Sequence, residues 1–466
     1  MDRADIPYLS ATELSGLIKR REVSPVEAVE AYLDRIDLLD DKFHAFVTVC
    51  RNEALQAAQE AEQAISQGNY RGPMHGIPVA VKDQVHTKGI RATFGSPIFA
   101  DFVPEEDATV IAKLKAAGAI LMGKLNMTEF GTTGFSHQFS TPRNPWDLER
   151  YTGGSSSGSG AATAGFLCAT SLGEDTGGSI RGPAAWCGLV GLRPSWGRVS
   201  RFGVRPGSWT MDTIGPISRT VEDCALTLQT VAGHDPKDSY TWNSPVPDYR
   251  RVLDGNIRGV KVGIIRELLY SGKVDPEVQD AVMKAITVLG ESEAVVEEVS
   301  IPLAVHAQTI SSGLRVEAPV TYGELLRTRL TEIGHDNRIG YLVGSILPAQ
   351  PYYKAQKLRV LLRRQVLEAL ERVDVLVLPT SGVAAPKVEP DPLIDSKEKA
   401  SRNYASLTPI FSLASTPALS ICCGFTSQDL PIGFQIGGKP FDEETVLKVA
   451  YAYEQSTPWH HRKPPV

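Results

Sequence analysis

Two stretches carry residues whose types and spacing suit chemistry: Thr152-Gly153-Gly154-Ser155-Ser156-Ser157-Gly158-Ser159-Gly160 and Asp175-Thr176-Gly177-Gly178-Ser179-Ile180-Arg181. Gly177-Gly178-Ser179 reads as a tight turn without side chains, so consecutive backbone N–H groups point into one small volume. A carbonyl whose oxygen becomes an oxyanion needs such donors. A Ser closing that turn is a nucleophile only if a base stands by. None of the nine His shows a spacing that supports that role. Lys82 is the best basic group, since the apolar run Gly76–Val81 delivers it to a strand end beside Asp83. A lysine with an ordinary pKa near 10.4 works as a base only if burial or neighbours lower that value. A plain Lys82–Asp83 surface pair is the competing account.

Three other accounts compete for the Gly/Ser block. A flexible linker fits poorly, because Ala161-Ala162-Thr163-Ala164-Gly165 follows at once and suits a close-packed helix. A phosphate-binding loop lacks its terminal Gly-Lys-Ser/Thr. Gly154-Ser155-Ser156-Ser157-Gly158 matches GxSxG with Ser156 as nucleophile, yet the polar Leu148–Thr152 precedes it where an elbow needs an apolar strand.

The elements that must hold these residues alternate. Ser10–Glu13 and Ser24–Glu27 are capping boxes, the second with Pro25 at the first helical position. The patterning predicts strands at Phe43–Val49, Gly76–Val81, Ile120–Met122, Val260–Ile265, Asp374–Leu378, Ser420–Gly424 and Ile432–Ile436. It predicts helices at Glu53–Ile65, Thr109–Ala117, Pro276–Glu291 and Glu443–Glu454. Such alternation implies an α/β sheet covered on both faces. Pro236–Asn256 reads as a polar surface connection, and Val305–Lys357 has mixed patterning. With 466 residues the length allows several domains, but no linker cuts the chain, so one domain spanning 1–466 is expected.

The 48 basic and 54 acidic residues sum to −6, and no basic stripe appears, so direct nucleic-acid binding is not expected. The N-terminus has no apolar signal region and no run reaches 18 apolar residues, so no membrane association is expected. Six Cys without CxxC spacing read as buried thiols of a reducing cytoplasm. No HExxH or other ligand-like pairing points to a metal.

These pieces in order resemble the amidase signature family. They are Gly76–Asp83, Gly123–Phe130, Thr141–Asp147, the whole Gly153–Gly191 block, Asp212–Pro216, Leu430–Gln435 and Pro440–Glu443. The resemblance implies an α/β fold with a large mixed central sheet under helices on both faces. It implies a Ser–cis-Ser–Lys triad: Ser179 as nucleophile, Ser155 as the serine after a cis peptide bond, Lys82 as base. Thr176, Gly177, Gly178 and Ser179 would supply oxyanion donors. Ser157, Asp175, Met127 and Arg181 match supporting or substrate-binding positions; Arg181 is taken as a brace of the loop, with a substrate carboxylate as its other possible partner. The reaction implied is cleavage of a carboxamide C–N bond (amide, anilide, urea or carbamate) through an acyl-enzyme, without cofactor. The alternative is the glutamine-hydrolysing component of a tRNA-dependent amidotransferase, its A subunit. Expected partners are a small-molecule amide and, at most, a second copy in a homodimer. The stretch at about 305–357 corresponds to the variable part that shapes substrate choice.

Overall fold

In the computed structural model, which describes residues 2–136, 138–390, 398–400 and 406–466, both capping boxes are formed. Ser10 and Ser24 each accept from the backbone N–H three residues on, and Glu13 and Glu27 reach back to the cap. The strands are β1 (Phe46–Val49), β2 (Pro78–Lys82), β3 (Ile120–Leu125), β4 (Arg143–Asn144), β5 (Asp147–Tyr151), β6 (Thr170–Glu174), β7 (Val190–Arg193) and β8 (Ile214–Ser218). They continue with β9 (Lys261–Ile265), β10 (Val295–Val299), β11 (Val375–Pro379), β12 (Val388–Pro390), β13 (Glu398–Ala400), β14 (Ala418–Phe425) and β15 (Pro431–Gly438).

Eleven of them form one mixed sheet in the order β1-β3-β2-β6-β8-β7-β14-β15-β11-β9-β10. Pairing is parallel in β3-β2-β6 and in β11-β9-β10, and antiparallel elsewhere. Successive strand residues point to opposite faces, yet every residue of β2, β6, β8, β11 and β15 is buried, so both faces of the sheet are covered.

Register places the chemistry. β2 pairs with β6 through Val79–Thr170, Ala80–Ser171 and Val81–Leu172, which brings the C-terminal ends of both strands to the same rim. Lys82 closes β2 and Glu174 closes β6. The Gly/Ser block is no linker: the helix Ser157–Ala164 is buried throughout. A Cβ on Gly158 would fall 2.3 Å from Ala45 O and 2.5 Å from Asn126 N, so only glycine lets this helix seat so closely.

Two of the differences from expectation have a plain physical reason. Phe43 ends the helix Pro25–Phe43 rather than opening a strand, because His44 turns the chain with φ 51°. Val305–Lys357 resolves into the helices Ala307–Gly313, Glu317–Thr328, His335–Ile346 and the start of Ala349–Arg372. Their periodicity is blurred because apolar residues also occupy outward faces: Val320 and Ile346 are 85% and 79% exposed.

Candidate active site

Lys82 is fully buried, and its Nζ has three partners: Ser155 Oγ at 2.7 Å, Glu174 Oε2 at 3.0 Å and the Glu174 carbonyl at 3.4 Å. The competing surface pair with Asp83 is not what forms. Asp83 is itself buried and accepts from Thr93 N–H and Oγ1 at 2.8 and 2.6 Å, and Lys124 lies 3.6 Å away. The Gly154–Ser155 peptide bond is cis.

Ser179 sits half-buried at the end of its turn. Among the described residues its hydroxyl has no hydrogen-bond partner, and no bond joins it to Ser155. Ser156 is the tie between the two stretches: its N–H donates to the Ser179 carbonyl (3.3 Å) and its hydroxyl to the Glu174 carbonyl (3.1 Å). A hydroxyl so engaged leaves Ser156 no role as the free nucleophile of an elbow.

Asp175 builds the turn. Its carboxylate accepts from Gly178 N–H (2.7 Å), Ile180 N–H (3.2 Å), Arg181 Nε and Nη2 (both 3.1 Å) and Arg193 Nη1 (3.3 Å). Burial alone would raise its pKa, but the two guanidinium groups hold it below the usual carboxylate range. Arg181 also donates to the Thr408 carbonyl, Gln435 Oε1 and Ser412 Oγ at 2.8–2.9 Å. All its donors are spent inside the protein, so it braces the loop and has none left for a substrate carboxylate.

Two assignments need correction. The Gly178 N–H, expected among the oxyanion donors, is instead committed to the Asp175 carboxylate. Among the described residues nothing accepts from the N–H groups of Thr176, Gly177 and Ser179, which leaves three donors. Ser157 does not touch the Lys82–Ser155 pair; its hydroxyl lies 3.4 Å from Tyr151 Oη at the start of the buried helix. Met127 is buried, and its backbone N–H donates to Asn126 Oδ1.

Two acids at the centre escape a motif-based reading. Glu174 and Asp212 both meet the Thr176 hydroxyl, at 2.9 and 2.7 Å. Burial and the nearby Glu174 charge push Asp212 up to about 8. Burial lowers Lys82 below the ordinary lysine value, and the Glu174 carboxylate opposes that shift. Asp212 lies within one of the family-like pieces and Glu174 directly precedes Asp175, so spacing marked the region but not the contact.

An amidase family model matches residues 27–447. The chain belongs to the amidase family. It is 42% identical to the A subunit of glutamyl-tRNA(Gln) amidotransferase from Moorella thermoacetica, covering 99% of each chain. Among solved structures it resembles the Thermotoga maritima protein of that same name, with a TM-score of 0.81 and 32% identity over 97% of this chain and 96% of that one. It also resembles, at a TM-score of 0.89 and 29% identity, a chain from a vestigial protein complex tied to the origins of an s-triazine catabolic enzyme, over 96% and 98% of the two chains. As a member of this family the chain is an enzyme of amide chemistry, and its mixed sheet is the fold of amidase signature enzymes.

These relatives overturn the expected partners. A chain serving a small amide alone, apart from nucleic acid and with at most a second copy beside it, does not agree with full-length relatives named as one component of an amidotransferase for glutamyl-tRNA(Gln). The acidic balance bears only on what this chain's own surface attracts, not on what a partner protein holds. Among the described residues no helix is long and apolar enough to cross a membrane, and no three acidic, His or Cys side chains cluster as metal ligands.

Proposed function

We propose that this amidase-family chain is the glutamine-hydrolysing component, the A subunit, of a tRNA-dependent amidotransferase. What carries the proposal is full-length similarity at 42% to proteins bearing that name, joined to a buried Lys82–Ser155 contact of 2.7 Å beside a free Ser179. Lys82 as the neutral amine takes the Ser155 proton while Ser155 takes that of Ser179, and Ser179 Oγ attacks the glutamine carboxamide carbon. The oxyanion is held by the N–H groups of Thr176, Gly177 and Ser179; each such donor is worth about 3 kcal/mol in the transition state. Ser155 returns the proton to the leaving ammonia, and water then splits the acyl-enzyme to glutamate. Ammonia passes to a partner protein that holds the charged tRNA. The whole chain works as one domain, in the cytoplasm; six free, buried cysteines agree with a reducing compartment.

The test is tagged purification from the source cells, followed by an assay of glutaminyl-tRNA formation from glutamyl-tRNA and glutamine. Co-purifying partners and glutamine-dependent conversion are expected; Ser179→Ala should lose the conversion and keep the partners. A chain that purifies by itself and cleaves aryl or aliphatic amides in preference to glutamine would sink the proposal in favour of a free-standing amidase.

A further inference from the structure

We propose that Glu174 is a positioning residue that sets the protonation state of Lys82, and that it does so as half of a one-proton carboxyl pair with Asp212, joined through the Thr176 hydroxyl. This rests on the triad assignment above.

The geometry fixes the proton count. Thr176 Oγ1 lies 2.9 Å from Glu174 Oε1 and 2.7 Å from Asp212 Oδ1. A hydroxyl has one proton to donate, so it satisfies both oxygens only if one of them carries a proton of its own and donates back. Asp212 meanwhile accepts from Gly207 N–H at 2.7 Å and from Ser208 N–H at 2.8 and 2.9 Å. Both acids and Thr176 sit between the end of β6 and the segment before β8, where two full negative charges side by side are costly. That cost agrees with Asp212 being pushed up to about 8. The pair therefore presents one negative charge to Lys82 rather than two.

The consequence falls on the base. With Glu174 anionic, Glu174 Oε2 at 3.0 Å holds Lys82 as the ammonium. With Glu174 neutral, Lys82 is held as the amine. Its two N–H groups then face Glu174 Oε2 and the Glu174 carbonyl, and its lone pair meets the Ser155 hydroxyl at 2.7 Å. The interconversion is balanced: Lys82 Nζ gives up one proton to solvent, while the single proton of the carboxyl pair passes through the Thr176 hydroxyl from Asp212 Oδ1 to Glu174 Oε1, which leaves Oε2 free to accept. Burial disfavours the ammonium form of Lys82, whose side chain is removed from solvent.

The other titratable groups facing the pair are otherwise engaged. Asp175 is matched to Arg181 and Arg193, while the Arg205 guanidinium stacks 5.2 Å from the buried Tyr322 ring. Glu174 and Asp212 also line a cavity of about 140 Å³ whose wall includes the exposed Lys237 and Trp209. Ser155 and Ser179 do not line it. The pair thus has its own route for exchanging a proton with solvent, apart from the nucleophile.

The test reads the rate at which a fluorophosphonate labels Ser179 as a function of pH. That readout reports activation of the nucleophile whichever amide is the substrate, so a failure of the glutamine assignment shows separately. Glu174→Gln keeps the shape and removes the charge, and Glu174→Ala serves if the Gln variant does not fold. Either should move the midpoint of the alkaline rise down by about one pH unit or more, the usual effect of an opposite charge at this range. Asp212→Asn should leave that midpoint in place or raise it, because the one shared charge then rests on Glu174. An unmoved or raised midpoint in the Glu174 variants would overturn the assignment of Glu174. A lowered midpoint in Asp212→Asn would show Asp212 to be a second full anion and would overturn the one-proton pair.

Discussion

Asp175→Asn is the perturbation that most directly tests why the Asp175–Arg181 turn holds its shape. The substitution preserves volume but replaces one acceptor oxygen by an NH2 group, in a place where six donors converge. Whichever way the amide points, its NH2 faces either the Gly178 N–H or the Ile180 N–H. The larger effect is on charge: Arg181 and Arg193, both fully buried, lose their shared carboxylate. Removing one partner of a buried pair costs about 3–5 kcal/mol. Arg181 keeps the Thr408, Gln435 and Ser412 oxygens, and Arg193 keeps the Met211 carbonyl at 2.7 Å, so the expected loss lies mid-range, about 4 kcal/mol. At about 2.1 cal/mol/K per residue, 466 residues unfold with an entropy of about 1 kcal/mol/K, so the melting midpoint should fall by about 4 °C. Scanning calorimetry of both proteins at pH 6 and pH 8 is the assay. The native Asp175 pKa is lowered, so its contribution is complete above the unfolded value near 3.9 and fades only as pH falls below it. The gap should therefore be equal at both pH values. A variant melting within about 1 °C of the parent would refute the claim that this carboxylate anchors the turn, as would a gap that changes between pH 6 and 8.

Further outcomes follow from the same contacts. Ser179→Ala should abolish fluorophosphonate labelling and amide hydrolysis while shifting stability by less than about 0.5 kcal/mol, because its hydroxyl has no partner among the described residues. Lys82→Met should cost about 3–5 kcal/mol by leaving Glu174 buried beside no cation, and adding Glu174→Gln should recover part of that loss in the double variant. Hydrolysis by the parent should rise with pH through a midpoint below the lysine value near 10.4, since burial lowers Lys82 and only its amine form accepts a proton. Gly178→Ala should slow labelling at least tenfold, because its φ is 130° and a Cβ would lie 2.1 Å from Thr408 Oγ1, the group that donates to the Gly177 carbonyl at 2.6 Å.

Much of this site was legible where local rules suffice. Capping boxes, the apolar run into Lys82 and the side-chain-free turn before Ser179 each follow from short-range chemistry, and the structure keeps them in those places. The parts that escaped depend on contacts between distant segments. Glu174 meets Lys82 across 92 residues and Thr176 meets Asp212 across 36, through a strand pairing that no periodicity encodes. The same holds for Gly178: its spacing suits an oxyanion donor, and only the carboxylate of Asp175 in three dimensions claims its N–H. Ser157 was misplaced for a subtler reason. In a run of three serines the pattern cannot say which hydroxyl turns inward, and the helix start at Ser157 points that side chain to Tyr151 while Ser156 binds the Glu174 backbone.

The burial of Lys82 and the freedom of Ser179 are two sides of one solution. A serine hydroxyl becomes a nucleophile only when a base that is neutral near working pH stands within reach, and an exposed lysine is not one. Placing Lys82 at the end of a strand whose neighbours on both sides are buried lowers its hold on a proton. That same burial would strand an unpaired charge, so the site must also contain a counter-charge, and the Glu174 carboxylate at the end of the adjacent strand is the one in contact. Ser155 is bonded to Lys82 in the dry interior. Ser179 remains on the half-buried turn, where Asp175, rather than any partner of its own hydroxyl, holds the backbone in place.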